Sequence, residues 1–233
     1  MSEPLPIVLI PGLLCTPELY APQIPLLWRF GPVMVADHRR DDSMAGLARR
    51  ILANAPPRFV LMGLSMGGYT ALEIMRQAPE RVARLALIDT QARPDTPEQS
   101  ERRRGQMAAA REGRLAEVAG QLFPLMVHPR RHQDPALQAL WRRMAEDTGA
   151  EAFVRQQAAI MGRMDSRPAL GGIDCPTLIL VGDQDALTPP DRAEEMAAGI
   201  AGATLVTIPG SGHLSPVEQP DAVSAALASW LED

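Results

Sequence analysis

The chain has 233 residues, 46% of them hydrophobic, which is enough for one sizeable core and short for two. Its 23 basic and 28 acidic residues leave a net charge of −5, and this mild acidity argues against nucleic acid or an anionic membrane as a partner. No run approaches the ~18 apolar residues of a membrane span, and the start Met1-Ser2-Glu3-Pro4 lacks a basic-then-apolar signal, so a cytoplasmic location is expected.

Residues 6–10 form a short, continuous apolar run closed by Pro11-Gly12, which reads as a strand buried on both faces of a parallel sheet. Residues 17–27 read as a short, proline-broken helix. Residues 33–36 read as a second buried strand, followed by the charged loop Asp37-His38-Arg39-Arg40-Asp41-Asp42. Ser43 is the expected N-cap of an amphipathic helix to about Asn54, with Met44, Leu47, Ala48 and Ile51 on one face. Residues 59–62 make a third strand, 63–68 a turn, and the helical pattern that follows ends near Ala78-Pro79. Residues 84–88 make a fourth strand.

From about 91 to 170 the alternation of strand and helix stops. Amphipathic patterns recur over 98–112, 115–122, 135–147 and 150–161, with residues such as Met107, Leu122, Trp141 and Ile160 expected to pack the helices together. The expected organisation is an α/β core of residues 1–93 and 171–233 carrying a helical cap of residues 94–170. The alternation resumes with a strand at 177–181, a helix at 191–198, a last strand at 203–208 and a closing helix at 220–231. Six strands with helices between them imply a doubly wound, mostly parallel α/β sheet. Cys15 and Cys175 have no metal or redox spacing and are expected to be free thiols.

The third strand leads into Gly63-Leu64-Ser65-Met66-Gly67, a Gly-x-Ser-x-Gly turn between strand and helix. This spacing lifts a serine hydroxyl out of the packed layers and points the N-terminus of the following helix at whatever binds beside it. In a sheet of this kind functional residues gather where strand ends feed the next loops, and Asp185 and His213 follow the fifth and sixth strands. A serine needs a base near neutrality, which histidine supplies, and a carboxylate behind the imidazole fixes its tautomer. Ser65, His213 and Asp185 are therefore the expected nucleophile, base and orienting acid, with Asp183 as the alternative carboxylate. His38, His128 and His132 lie in charged or Arg-flanked segments and are expected to be solvated. The backbone amides of Leu13 and Met66 are the expected oxyanion hole, with both side chains forming an apolar pocket floor. No cofactor and no metal is implied.

Ile10-Pro-Gly-Leu-Leu14, Gly63-Leu-Ser-Met-Gly-Gly68, Leu180-Val-Gly-Asp-Gln-Asp185 with Thr188-Pro-Pro, and Gly212-His-Leu-Ser-Pro-Val-Glu-Gln-Pro220 together resemble the α/β-hydrolase superfamily. The last motif and the position of the helical cap are similar to the branch containing 3-oxoadipate enol-lactone hydrolases and small carboxylesterases. The chain departs from that pattern in reading Pro11-Gly12 where many members have His-Gly, and in lacking an Arg-Gly-x-Gly-x-Ser loop around residues 37–43. Only five residues precede the first expected strand, so the usual N-terminal antiparallel pair is expected to be missing. The resemblance implies a serine hydrolase acting on a small ester or lactone through an acyl-enzyme, with a substrate carboxylate held by a cap arginine such as Arg102, Arg114, Arg142 or Arg155. Two other readings stay open: cleavage of a C–C bond by the same three residues, and a non-catalytic ligand-binding protein of hydrolase shape. Oligomeric state is not legible.

Overall fold

Unbroken apolar runs leave a strand no solvent face, and such strands pair parallel between two helical layers. In the computed structural model, which describes residues 4–232, six of them do so. The strands β1 (Ile7–Ile10), β2 (Val33–Val35), β3 (Phe59–Leu64), β4 (Val82–Ile88), β5 (Thr177–Gly182) and β6 (Thr204–Ile208) lie in the order β2-β1-β3-β4-β5-β6, every pair parallel. Successive side chains enter opposite layers. Ile7, Leu9, Val60, Met62, Ala86, Ile88, Leu178 and Leu180 join one apolar cluster, while Val8, Ile10, Leu61, Leu87, Ile179 and Val181 join the other.

The first layer is covered by α1 (Ile24–Leu27) and by α9 (Pro220–Glu232), through Leu27, Val223, Leu227 and Trp230. The second is covered by α2 (Met44–Asn54), α3 (Met66–Gln77) and α7 (Pro190–Gly199), through Ala48, Ile51, Leu72, Ile74, Ala193 and Met196. Ser43 caps α2 as expected, its hydroxyl accepting from the amide of Gly46 at 3.2 Å. The run 33–36, read as buried, lies at one edge of the sheet instead, with 203–208 at the other, and β2 and β6 are largely half-exposed. An edge strand can be as apolar as a central one when one of its faces is still covered, so composition alone does not separate them.

Between β4 and β5 the chain builds only helices: α4 (Pro97–Arg111), α5 (Leu115–Met126) and α6 (Pro135–Met161), with short 3-10 turns. α5 runs past the expected end at Leu122 and includes Pro124, whose missing amide leaves the Gly120 carbonyl without its intrahelical donor, and the helix ends two residues later. α6 leaves helical geometry at Gly149 (φ 77, ψ 162), which separates the two helices read from the sequence as 135–147 and 150–161. None of the described helices is long and apolar enough to cross a membrane.

The sheet order reverses between β1 and β3. In open α/β sheets the crevice at such a reversal, outside the C-terminal strand ends, is the natural binding position. The loops after β1 and β3 meet there, and those after β5 and β6 approach along the same edge.

Candidate active site

β3 ends at Leu64 and α3 begins at Met66, leaving Ser65 alone at φ 53, ψ −114. A non-glycine residue there costs on the order of 1–3 kcal/mol and persists only where its surroundings impose it. Two contacts impose it here: the Ser65 amide donates to the Ile88 carbonyl at 2.9 Å, and the Thr90 hydroxyl donates to the Ser65 carbonyl at 2.8 Å. The turn also brings backbones together at two glycines. A Cβ on Gly67 would lie 2.0 Å from the Ile10 carbonyl oxygen, and one on Gly63 would lie 2.3 Å from the Gly67 carbonyl oxygen. The Ser65 hydroxyl is thus held at the positive end of α3.

His213 follows β6 and is buried, with Nε2 2.8 Å from Ser65 Oγ and Nδ1 2.7 Å from Asp185 Oδ2. Nδ1–H donates to the carboxylate, which leaves Nε2 free to accept the serine proton. Asp185, also buried, is fully engaged. Its Oδ1 accepts from the amides of Leu187 at 2.8 Å and Thr188 at 2.9 Å, and its Oδ2 accepts from the Thr188 hydroxyl at 2.7 Å. The alternative carboxylate, Asp183, points elsewhere: its Oδ1 accepts from the Ser211 amide at 3.1 Å and holds the loop that precedes His213.

The loop after β1 is fixed from three sides. Tyr20 Oη donates to the Ile10 carbonyl at 3.1 Å, the Leu14 amide donates to Gln156 Oε1 at 3.2 Å, and His38 Nε2–H donates to the Gly12 carbonyl at 2.9 Å. His38 is therefore not solvated as its charged neighbours suggested; it is 2% exposed, and burial holds its imidazole below the ordinary value, so it is neutral at pH 7. His128 and His132 are half-buried rather than solvated. Among the described residues no acceptor takes the amide of Leu13 or of Met66. Their side chains part company. Leu13 lines the space beside Ser65, whereas Met66 is fully buried in a cluster with Met44, Leu47, Tyr69, Ala159 and Ile160 and forms no pocket floor.

That space is walled by Leu13, Tyr69, Leu187 and His213 from the sheet edge and by Arg102, Leu122, Met126, Trp141 and Ile160 from α4, α5 and α6. Of the four arginines weighed for a substrate carboxylate, only Arg102 lines it. Arg114 pairs with Glu112, Arg155 donates to the Arg39 carbonyl, and Arg142 lines a separate cavity.

A family model described as alpha/beta hydrolase family matches residues 7–226. The chain belongs to that family. Among solved structures this hydrolase is similar to a thermophilic esterase from Thermogutta terrifontis, at 31% identity and a TM-score of 0.90 over all of this chain and 91% of the other. It is similar also to the enol-lactonase from Burkholderia xenovorans LB400, at 27% identity and a TM-score of 0.89 over all of this chain and 93% of that one. A curated relative, the pimeloyl-[acyl-carrier protein] methyl ester esterase of Neisseria meningitidis, is 25% identical over 91% of this chain and 85% of its own length.

Two buried carboxylates of the hydrolase escaped the sequence reading, and both hold the loop that carries His213. Glu218 Oε1 accepts from the amides of Gly212 at 2.8 Å and Leu214 at 3.3 Å, while Oε2 accepts from the His128 amide at 2.7 Å. Asp89, at φ 44 just past β4, accepts from the Gly182 amide at 2.9 Å and from the Ser215 amide and hydroxyl at 3.1 and 2.6 Å. Their sequence signal is position alone: Asp89 directly follows a buried strand, and Glu218 sits five residues after His213.

Burial, and then the charge of Asp185, push the Asp89 carboxyl from 3.8 up to about 8, against the pull of His213 and the Ser215 and Gly182 donors. The folded value exceeds the unfolded one, so the stability this group contributes is whole below about pH 4 and is lost as pH rises toward about 8. Urea unfolding between pH 5 and 8 is expected to show a decline in the native protein that Asp89→Asn flattens, whatever constant offset the lost hydrogen bonds add. Parallel pH curves for the two proteins would contradict this.

Proposed function

We propose that this hydrolase cleaves a small carboxylic ester or lactone through an acyl-enzyme. The observation that carries the reading is the continuous relay from Ser65 Oγ through the His213 imidazole to the Asp185 carboxylate, at 2.8 and 2.7 Å. Ser65 Oγ attacks the carbonyl carbon as His213 Nε2 takes its proton. The tetrahedral oxyanion is received by the amides of Leu13 and Met66 at the head of α3, where a donor is worth about 3 kcal/mol in the transition state. Collapse expels the alkoxide, which leaves with the proton from His213. Water, activated by the same imidazole, then attacks the acyl carbon and regenerates Ser65. Asp185 stays ionised and stabilises the imidazolium. Residues 94–170 act as the cap over a core of 1–93 and 171–233, supported by the side chains that α4, α5 and α6 place around Ser65. The names of the similar structures, an esterase and an enol-lactonase, support the ester or lactone class.

Labelling with a fluorophosphonate followed by peptide mapping tests the nucleophile and its activation together. The modified peptide is expected to carry Ser65, and a native protein that resists the reagent while folded would sink the proposal.

The pH dependence is a second test. Burial pulls the His213 imidazole down, but the charge of Asp185 and its hydrogen bond outweigh it, leaving the value raised above 6.5. Catalysis needs the neutral imidazole, so kcat/KM is expected to fall as pH drops through a midpoint above 6.5. Asp185→Asn removes the largest of the raising influences; it is expected to move that midpoint down and to lower kcat, by less than loss of the serine does. A midpoint unmoved by Asp185→Asn would mean that Asp185 does not govern His213.

A further inference from the structure

α5 presents two faces to two separate spaces. Leu122, Leu125 and Met126 face the space beside Ser65, while Leu115, Ala119, Gly120 and Phe123 face a cavity between α5 and α6. The Trp141 indole lines both. The space beside Ser65 and His213 holds about 90 Å³, whereas the cavity beyond Trp141 holds about 420 Å³. The space on the catalytic side is thus less than a quarter of that beyond Trp141. The larger cavity falls within the ~300–1,000 Å³ of ordinary small-molecule sites. Its walls are mostly aliphatic and aromatic, and it opens to solvent along the exposed Ala116, Gly120, Gln138, Arg142 and Glu146.

Trp141 is held as a fixed wall. It is 2% exposed and packed in the main apolar cluster, and its Nε1–H donates to the Ala119 carbonyl at 2.8 Å. Rotating the ring would leave a buried indole donor unpaired. On the far side the cavity is open at Gly120, where an added Cβ would meet nothing within 4 Å.

We propose that Trp141 is a partition limiting the substrate to short acyl chains, and that the cavity behind it is an apolar acyl-chain site kept out of reach of Ser65 by that one side chain. This rests on the ester-hydrolase reading above and adds the substrate class within it: short acyl groups. The indole contacts the substrate's distal end and sets specificity without touching the reacting atoms.

The test measures kcat/KM for p-nitrophenyl acetate, butyrate and octanoate in the native protein, Trp141→Leu, Trp141→Phe, and Trp141→Leu combined with Gly120→Phe. Fluorophosphonate titration counts competent sites in each. Octanoate is expected to fall on the order of tenfold or more below butyrate in the native protein, since a pocket discriminates by about that much for each group it cannot seat. Trp141→Leu is expected to raise the octanoate-to-butyrate ratio on the order of tenfold, Trp141→Phe by less, and Gly120→Phe is expected to take the gain back by filling the cavity. Native protein that hydrolyses octanoate as well as butyrate overturns the partition, even if no Trp141 variant folds. A gain that survives Gly120→Phe overturns the assignment of the cavity. A protein that hydrolyses no ester at all instead strikes the ester reading itself, a result distinct from an unselective profile.

Discussion

Ser65→Ala is expected to lower kcat by about 10⁴-fold or more, with KM nearly unchanged and fluorophosphonate labelling abolished. In the proposed mechanism the hydroxyl makes the bond that defines the acyl-enzyme, and among the described residues the oxygen has one side-chain partner, His213 Nε2. Its removal therefore takes away the chemistry and little else. The Ser65 amide and carbonyl, which hold the turn through Ile88 and Thr90, are untouched, so thermal stability should stay close to that of the native protein. His213→Ala should cost about as much, and the double variant scarcely more than either, because groups that act as one unit are not additive. Near-native turnover in Ser65→Ala, with ester hydrolysis still saturable, would remove the acyl-enzyme from consideration.

Gly67→Ala is expected to damage both stability and turnover. Its Cβ would lie 2.0 Å from the Ile10 carbonyl oxygen and 2.9 Å from that of Pro11, and neither is a flexible side chain that can step aside. Relief requires α3 to withdraw from the end of β1. Overpacking of this sort costs about 1–3 kcal/mol or more, and in a chain of this size each kcal/mol moves Tm by about 2–4 °C, so a fall on the order of 5–10 °C should appear in a thermal melt. The same withdrawal separates the amides of Met66 and Leu13, and misplacing one oxyanion donor typically costs about 10²–10³ in kcat. Gly105→Ala is the control: it lies within α4, and its Cβ would meet nothing within 4 Å. It should leave both readings unchanged or raise Tm slightly. Equal behaviour of the two variants would mean that the close approach at Gly67 is dispensable.

The strands and the serine turn were legible because each depends on local sequence. Apolar runs closed by Pro, Gly or Asp mark parallel strands, and Gly63-x-Ser65-x-Gly67 records a backbone approach that larger residues would block. The convergence of Asp185 and His213 on Ser65 followed from the rule that strand ends share one edge. What stayed hidden depends on long-range placement. Nothing adjacent to His38 indicates that its ring is carried under the loop after β1, and its charged neighbours point the other way. Asp89 and Glu218 read as ordinary polar residues because the amides they accept come from segments distant in sequence or from a loop whose shape is not local. Its position directly after Ser65 points Met66 to the pocket floor, but the first turn of α3 aims its side chain into the buried cluster around Ile160. The edge positions of β2 and β6 depend on strand order, which apolar content does not encode.

Glu218 has a further consequence, since its two oxygens serve two different bodies. One accepts from the backbone on either side of His213, and the other from His128, just past the end of α5. Lifting that corner of the helical insertion would strand a buried carboxylate oxygen right behind His213, a cost of about 1–3 kcal/mol or more. The corner therefore behaves as a fixed pivot. The seating of the helical insertion and the aim of the imidazole are thus set by one and the same side chain.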